Sequence, residues 1–233
     1  MKADRIPFKL SEIILMTDRK LEFKSDFIKF ALSSNVLRFG EFKTKAGRLS
    51  PYFFNAGLFD TGERLSELGN FYAQAILESG ISFDMLYGPA YKGIPLSAAT
   101  AIGLANRGVD TPFAFNRKEA KDHGEGGTTI GAPLSGRVLV IDDVVSAGTS
   151  VRESVDIISA SGASVCGIVV CLDRQEKGTS ERSAIQEIEE DLQIKVISMF
   201  NLSDLVNFLE QQNDLKQDLE KIKTYRLQYG VDV

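Results

Sequence analysis

The sequence predicts an α/β protein whose central parallel sheet is covered by helices on both faces. Val138–Ile141 and Ser164–Leu172 are apolar at nearly every position, as in strands buried on both sides. Helical segments of 10 to 15 residues separate such strands, which is typical of a parallel sheet. The 233 residues are 43% hydrophobic and 25% charged, the composition of an ordinary globular domain.

The first 60 residues do not follow this alternation. We expect residues 1–20 to be an appendage of unknown function, outside one domain that spans residues 21–233. Leu21–Leu32 reads as the first clear amphipathic helix. Arg38–Ala56 reads as two short antiparallel strands, because Gly47 and Pro51 are typical turn residues.

From residue 62 onward, predicted helices and strands alternate. The predicted helices are Gly62–Ser79, Gly93–Ala105, Thr149–Ser161, Ser180–Leu192, Leu202–Glu210 and Leu215–Gln228. The predicted strands are Phe83–Tyr87, Pro112–Phe115, Val138–Ile141, Ser164–Leu172 and Lys195–Phe200, and a Gly-rich charged loop is predicted over Asn116–Thr129. Parallel sheets bind ligands beyond the carboxyl ends of their strands. We therefore expect the chemistry just after Tyr87, Ile141 and Leu172.

Composition argues against two classes of partner. The chain has 27 Lys and Arg against 32 Asp and Glu, a formal net charge of -5, whereas nucleic-acid binding needs a basic face. No segment approaches the roughly 20 apolar residues of a membrane span, and the N-terminus lacks a secretory pattern. Cys166 and Cys171 are expected to be reduced and to face opposite sides of one strand. We expect a cytoplasmic protein with no nucleic-acid or membrane partner.

The segment after Ile141 carries the strongest chemical signal. Asp142 and Asp143 follow the strand, and a small, hydroxyl-rich stretch leads to Ser150 and into a helix. Paired carboxylates can accept hydrogen bonds from the vicinal hydroxyls of a ribose, and a helix N-terminus binds phosphate. An ordinary helix cap explains only one Asp and one hydroxyl. No Gly-Lys-Ser/Thr is present, so the pattern is not a P-loop.

Two further segments suggest lids. Asn116–Gly127 contains three cations and the only His of the chain; it reads either as a solvated loop or as a mobile lid over an anionic leaving group. His123 is equally well an acid–base group or an ordinary loop histidine. In Lys45–Asn55 the aromatic residues are either core or part of a cover over a planar base.

Val140–Thr149 resembles the phosphoribosyl pyrophosphate (PRPP) signature of the type I phosphoribosyltransferases. With the two lid segments, Gly88–Gly93 and Leu172–Glu176, the chain resembles the bacterial orotate phosphoribosyltransferase family from Leu21 to Gly230. The resemblance implies the type I phosphoribosyltransferase fold, with a small hood formed mainly by residues 21–60 and a mobile catalytic loop. It also implies conversion of orotate and PRPP to orotidine 5-monophosphate and pyrophosphate, in the synthesis of UMP.

The same resemblance implies residue roles. The implied catalytic residues are Lys121, His123, Asp142 and Asp143. The implied PRPP-binding residues are Lys45, Tyr91, Lys92, Arg117, Lys118, Lys121, His123, Asp142, Asp143, Val144, Val145, Ser146, Ala147, Gly148, Thr149 and Ser150. The implied orotate-binding residues are Phe53, Phe54, Ser146 and Arg174. Ser146 stands where the family commonly has Thr, which keeps the hydroxyl.

The resemblance further implies magnesium and a homodimer. We expect Mg²⁺ to be held mainly through PRPP and water, without dedicated protein ligands, because Mg²⁺ prefers substrate phosphates to a protein cage. The catalytic loop of each subunit is expected to enter its neighbour's site. Two alternatives stay open: a purine phosphoribosyltransferase, and a regulator of the same fold that senses PRPP without catalysis.

Overall fold

The computed structural model describes residues 10–44, 47–121, 127–146, 148–178 and 180–231. Its helices are α1 (Leu10–Ser33), α2 (Gly62–Ser79), α3 (Gly93–Ala105), α4 (Thr149–Ala160), α5 (Ala184–Leu192), α6 (Leu202–Glu210) and α7 (Lys216–Tyr229). Its strands are β1 (Leu37–Lys43), β2 (Leu49–Phe54), β3 (Met85–Gly88), β4 (Phe113–Lys121), β5 (Gly127–Gly131), β6 (Arg137–Ile141), β7 (Ser164–Asp173) and β8 (Val196–Asn201). Within these ranges, every helix is too short or too polar to cross a membrane.

The main sheet has six strands in the order β5-β4-β3-β6-β7-β8. The pairs from β4 to β8 are parallel, and β5 runs antiparallel to β4 at one edge. The chain leaves β3 for β4 on one side and later returns to place β6 on the other. This topological switch point puts the carboxyl ends of β3 and β6 side by side, where α/β sheets bind ligands.

Both faces of the sheet are buried, as predicted. On β6, Leu139 and Ile141 belong to one core cluster, together with residues of α1, α2, α6 and α7. Val138 and Val140 belong to a second cluster, together with residues of α4 and α5. The unbroken apolar run of this strand therefore reflects two helical layers, and the predicted α/β architecture is confirmed.

The N-terminal part differs from the prediction in its helix. α1 begins at Leu10 rather than at Leu21, so part of the predicted appendage continues that helix. The two predicted antiparallel strands are present: β1 and β2 form a separate two-stranded ribbon, with a register shift between Phe39 and Phe42. The division into an appendage and one domain, and the hood over residues 21–60, remain predictions.

The predicted Gly-rich loop is shorter than expected. β4 continues to Lys121 and β5 begins at Gly127, so most of Asn116–Thr129 is an antiparallel hairpin. Sequence alone does not show this pairing, because polar strand residues at a sheet edge resemble a loop. Likewise, α5 begins at Ala184 rather than at Ser180, because Ser183 forms a capping box with Gln186.

The cysteine prediction was half right. Cys166 and Cys171 are both free thiols. They pack against the same core cluster rather than on opposite sides of the sheet. The cause is a register shift of β7 against β6, between the pairs Val138–Val165 and Leu139–Gly167. One extra residue in a strand inverts the alternation beyond it.

Glycines bring α2 and α3 into backbone contact beneath β3. A Cβ on Gly103 of α3 would lie 2.4 Å from the carbonyl oxygen of Gly69, and a Cβ on Gly69 would lie 2.4 Å from the carbonyl oxygen of Ala99. Both distances are far below a van der Waals contact. Since α3 follows directly on the loop after β3, this packing helps to set where that loop lies.

We predict that Gly103→Ala destabilises the protein, although Ala is the better helix former by about 1 kcal/mol. The backbone clash should outweigh this gain, leave a net cost of about 1–3 kcal/mol and lower the thermal midpoint by roughly 2–10 °C. Gly62→Ala is the matched control, because it is also a helical glycine but a Cβ there meets nothing within 4 Å. An unchanged or raised midpoint for Gly103→Ala would contradict this account of the packing.

Candidate active site

A cavity of about 370 Å³ opens at the carboxyl ends of β3 and β6. Its walls come from the loop after β3, the loop after β6 and the first turn of α4. They are Pro89, Ala90, Tyr91, Lys92, Asp142, Asp143, Val144, Val145, Ser146, Gly148, Thr149, Ser150 and Val151. The cavity thus lies just after Tyr87 and Ile141, two of the three positions at which the sequence predicts the chemistry; the described residues after Leu172 do not line it.

Two adjacent carboxylates form the floor of the cavity. Asp142 and Asp143 are only 8% and 6% exposed. One carboxylate oxygen of Asp142 accepts a hydrogen bond from the backbone N–H of Asp143 at 2.8 Å, and the other accepts from the Ser150 hydroxyl at 3.2 Å. The end of β6 therefore buries a pair of like-charged side chains.

Burial makes the charge of Asp142 costly. Loss of water contact, and then the neighbouring Asp143, raise the pKa of Asp142 from its ordinary 3.8 to about 7. Lys92 compensates Asp143 directly: its ammonium lies 2.5 Å from an Asp143 carboxylate oxygen. The Lys92 side chain is 53% exposed, so this cation remains accessible from the cavity.

The backbone of the acidic pair is held by partners far away in sequence. The hydroxyl of Tyr72, on α2, donates to the carbonyl of Asp142 at 2.6 Å and lies 3.1 Å from the sulfur of Cys171. The carbonyl of Asp143 accepts from the N–H of Cys171 on β7 at 2.9 Å. These bonds fix the direction in which both carboxylates leave the sheet.

The loop after β3 is equally constrained. A Cβ on Gly88 would lie 2.1 Å from the carbonyl oxygen of Gly93, so the loop closes only with glycine there. The side-chain oxygen of Asn116, on β4, accepts from the backbone N–H of Ala90 at 2.6 Å. Tyr91 is 71% exposed and borders the cavity. The loop therefore presents Tyr91 and Lys92 from a fixed backbone.

The first turn of α4 forms one wall of the cavity. The residue before the helix is Gly148, with a φ of 72°, and no side chain in the described part of the chain caps the helix. The N–H groups of a first turn have no partner within the helix, and the helix dipole favours an anion beside them. Thr149 and Ser150 add hydroxyls to the same wall.

Arg174 lies apart from this cavity, at the end of β7. Its guanidinium donates to Glu176 through Nε at 2.9 Å and to the Ser50 hydroxyl through Nη2 at 3.0 Å. It also lies over the ring of Tyr52, 4.2 Å from the centroid. Ser50 and Tyr52 belong to β2, so this cluster joins the ribbon to the main sheet.

The structure brings together most of the predicted PRPP residues. Tyr91, Lys92, Asp142 to Ser146 and Gly148 to Ser150 all line the cavity, whereas Phe53, Phe54, Arg117, Lys118 and Arg174 do not. Instead, the ammonium of Lys118 lies 3.8 Å from a carboxylate oxygen of Glu153 on α4. Lys45, His123 and Ala147, and the side chain of Lys121, lie outside the described residues.

Sequence reasoning assigned no role to Tyr72, Asn116 or Glu176. Tyr72 lies within the predicted helix Gly62–Ser79, and Asn116 begins the predicted Gly-rich loop. Glu176 was part of a quoted motif. The one signal that was available for Asn116 is its position at a strand end beside the site, since polar residues there often face ligands or neighbouring loops.

The fit of a magnesium ion depends on the donor set. Among the described residues, no three His, Cys, Asp or Glu side chains converge as a metal cage. Lys92 already engages Asp143. The site therefore suits an ion that binds through substrate oxygens and water, which is the behaviour of Mg²⁺ with phosphates.

Comparison with known proteins agrees with this geometry. A phosphoribosyl transferase domain model matches residues 58–199. The orotate phosphoribosyltransferase of Thiobacillus denitrificans is 60% identical over 210 residues, which cover 90% of this chain and 99% of that protein. The enzyme of the same name from Laribacter hongkongensis is 61% identical, with the same coverage.

A solved structure supports the same assignment. The crystal structure of Francisella tularensis orotate phosphoribosyltransferase has a TM-score of 0.81 to this chain at 44% identity, and the match covers 88% of this chain and 98% of that one. The relatives match nearly end to end, and the matched region includes the cavity and the Arg174 cluster. The chain therefore belongs to the phosphoribosyltransferases and, within them, to the orotate phosphoribosyltransferase family.

Proposed function

We propose that this chain transfers the 5-phosphoribosyl group of PRPP to orotate, giving orotidine 5-monophosphate and pyrophosphate in pyrimidine biosynthesis. The observation that carries the proposal is the cavity in which a buried acidic pair faces the uncapped start of α4. That arrangement offers acceptors for ribose hydroxyls and donors for a phosphate around one space.

Asp142 and Asp143 hold the ribose and favour its reacting state. Departure of pyrophosphate leaves positive charge on the ribose ring, and two carboxylates in a buried setting stabilise that charge more strongly than they would in water. The 5-phosphate is held by the backbone N–H groups that begin α4 and by the hydroxyls of Ser146, Thr149 and Ser150. Binding at both ends fixes the anomeric carbon between them.

Lys92 faces the leaving group. Its exposed ammonium stands at the cavity wall beside Tyr91, where negative charge accumulates as pyrophosphate departs. Mg²⁺, bound through PRPP oxygens and water, would offset further negative charge on the pyrophosphate. Before substrate binds, Lys92 and Asp143 also neutralise one another, which lowers the free-energy cost of burying the Asp143 charge.

Orotate needs a cationic clamp rather than a strong base. It is already an anion with a nucleophilic ring nitrogen, and a guanidinium binds a carboxylate in two-point geometry. Arg174 is our candidate for this clamp. It lies on the cluster that joins β7 to β2, the strand that also carries Phe53 and Phe54.

The loop between β4 and β5 is expected to close over the reacting groups. Arg117 and Lys118 lie on β4 past its last pair with β3, and Lys121 and His123 follow in sequence. In a homodimer this loop would serve the neighbouring subunit's site. We expect the protein to act in the cytoplasm, without nucleic-acid or membrane partners.

The choice of base is tested by turnover. With PRPP and Mg²⁺ present, we predict pyrophosphate release with orotate and none above background with adenine or hypoxanthine. Asp143→Asn should lower kcat/KM at least tenfold, about 1.4 kcal/mol of transition-state stabilisation. Asp156→Asn makes the same chemical change on the exposed face of α4 and should leave turnover unchanged.

Other outcomes would select the alternatives. Turnover of a purine without orotate would identify a purine phosphoribosyltransferase. Binding of PRPP without turnover of any base would identify a PRPP-sensing regulator.

The pKa of Asp142 predicts a pH-dependent stability. Because this pKa is raised from 3.8 to about 7 on folding, the folded state holds the extra proton between those values, and stability falls as pH rises through that window. Asp142→Asn removes this penalty. The thermal midpoint of the variant minus that of the wild type, both without ligand, should therefore increase from pH 5 to pH 8. The matching change in the free energy of unfolding should be at most a few kcal/mol.

Asp84→Asn is the control for this measurement. Hydrogen bonds from Arg137 lower the pKa of Asp84 to about 2. The stability that ionised Asp84 contributes is therefore complete above the unfolded pKa of this residue and is lost only as pH falls below that value. Its midpoint difference should stay constant between pH 5 and 8. A constant difference for Asp142→Asn as well would contradict the assigned pKa.

A further inference from the structure

We propose that Glu176 is a positioning residue for the base: by holding Arg174, it sets the affinity of the site for the carboxylate of orotate. The inference rests on the proposed function, because it takes Arg174 as the partner of that carboxylate. Glu176 itself need not touch either substrate. Its role is exerted through the guanidinium that it fixes.

Glu176 is a nearly buried carboxylate among polar side chains. Its side chain is 14% exposed. One oxygen accepts from Arg174, with Nε at 2.9 Å and Nη2 at 2.6 Å, and from the hydroxyl of Tyr52 at 3.2 Å. The other oxygen lies 4.0 Å from a guanidinium nitrogen of Arg48. A single carboxylate thus joins the end of β7 to Tyr52 on β2 and to Arg48, the residue directly before β2.

These contacts fix the plane of the Arg174 guanidinium. The ring of Tyr52 covers one face at 4.2 Å, and the Ser50 hydroxyl accepts from Nη2 at 3.0 Å. A guanidinium that is already oriented loses little rotamer freedom when it binds an anion. Because Ser50 and Tyr52 lie on β2, the orientation is set relative to the strand that carries Phe53 and Phe54.

The C-terminal segment fixes Glu176 in turn. The N–H of Lys177 donates to the carbonyl of Tyr229 at 2.8 Å, and the N–H of Val231 donates to the carbonyl of Gln175 at 2.9 Å. Glu176 and Gly230 form the β-bridge between these bonds. The segment after β7 is therefore a paired backbone rather than a free loop, which lets a short side chain hold Arg174 in place.

The charge of Glu176 and its orienting of Arg174 predict opposite effects on orotate binding when this carboxylate is removed. Arg48, Arg174 and Glu176 together carry one net positive charge, and burial keeps Tyr52 neutral by raising its pKa well above 10. Removing Glu176 adds one positive charge near an anionic substrate, which by charge alone would tighten orotate binding. If the orientation of Arg174 dominates, as we propose, removing Glu176 weakens orotate binding.

The test is steady-state kinetics with each substrate varied in turn. Glu176→Ala should raise the KM for orotate at least tenfold, equivalent to about 1.4 kcal/mol, and leave the KM for PRPP within twofold. Glu176→Gln, whose amide oxygen still accepts from Arg174, should recover part of the loss and carries the test if the alanine variant does not fold. Glu181→Ala is the matched control, because that carboxylate is 88% exposed and pairs only with Lys177 among the contacts described.

Arg174→Ala separates failure of this inference from failure of the proposed function. If wild type does not turn over orotate, the proposed function falls first. If Arg174→Ala raises the orotate KM but the Glu176 variants leave it unchanged or lower it, the positioning role alone is overturned. An equal rise in both KM values would also overturn it, since that is the signature of general damage to the fold.

Discussion

Burial of two adjacent carboxylates is the constraint on which the rest of the site depends. Asp142 and Asp143 are nearly inaccessible, and placing like charges together in such a setting costs free energy unless other groups offset it. Lys92 offsets one charge, and the raised pKa of Asp142 expresses the part that remains uncompensated. A ligand that has vicinal hydroxyls and a cationic reacting state offsets this free-energy cost when it binds, so the site favours such a ligand.

The fold holds this costly arrangement with bonds between distant segments. Tyr72 from α2 and the backbone of β7 fix the carbonyls of the acidic pair, while Asn116 from β4 fixes the loop that carries Lys92. α2 and β7 therefore meet at the acidic pair, and β4 supports the neighbouring loop. This explains why a site made of short loops is rigid enough to orient a sugar phosphate.

Local patterns were enough to predict the architecture. The unbroken apolar run ending in Asp142 predicted a buried strand, which is confirmed, and a site at its end, where the structure has a cavity. Two kinds of feature escaped prediction. The β4–β5 hairpin and the shift at Cys166 depend on pairing with a neighbouring strand, and the roles of Tyr72 and Asn116 depend on contacts across 70 and 26 residues of chain. Such contacts leave no periodic signal in a single sequence.

The most direct measurement of the central claim is a crystal structure of this protein with PRPP and Mg²⁺. The account predicts that the ribose hydroxyls lie within about 3 Å of the Asp142 and Asp143 carboxylates, with the 5-phosphate on the N–H groups that begin α4. A structure in which PRPP binds elsewhere, or in which its ribose makes no contact with the acidic pair, would contradict it.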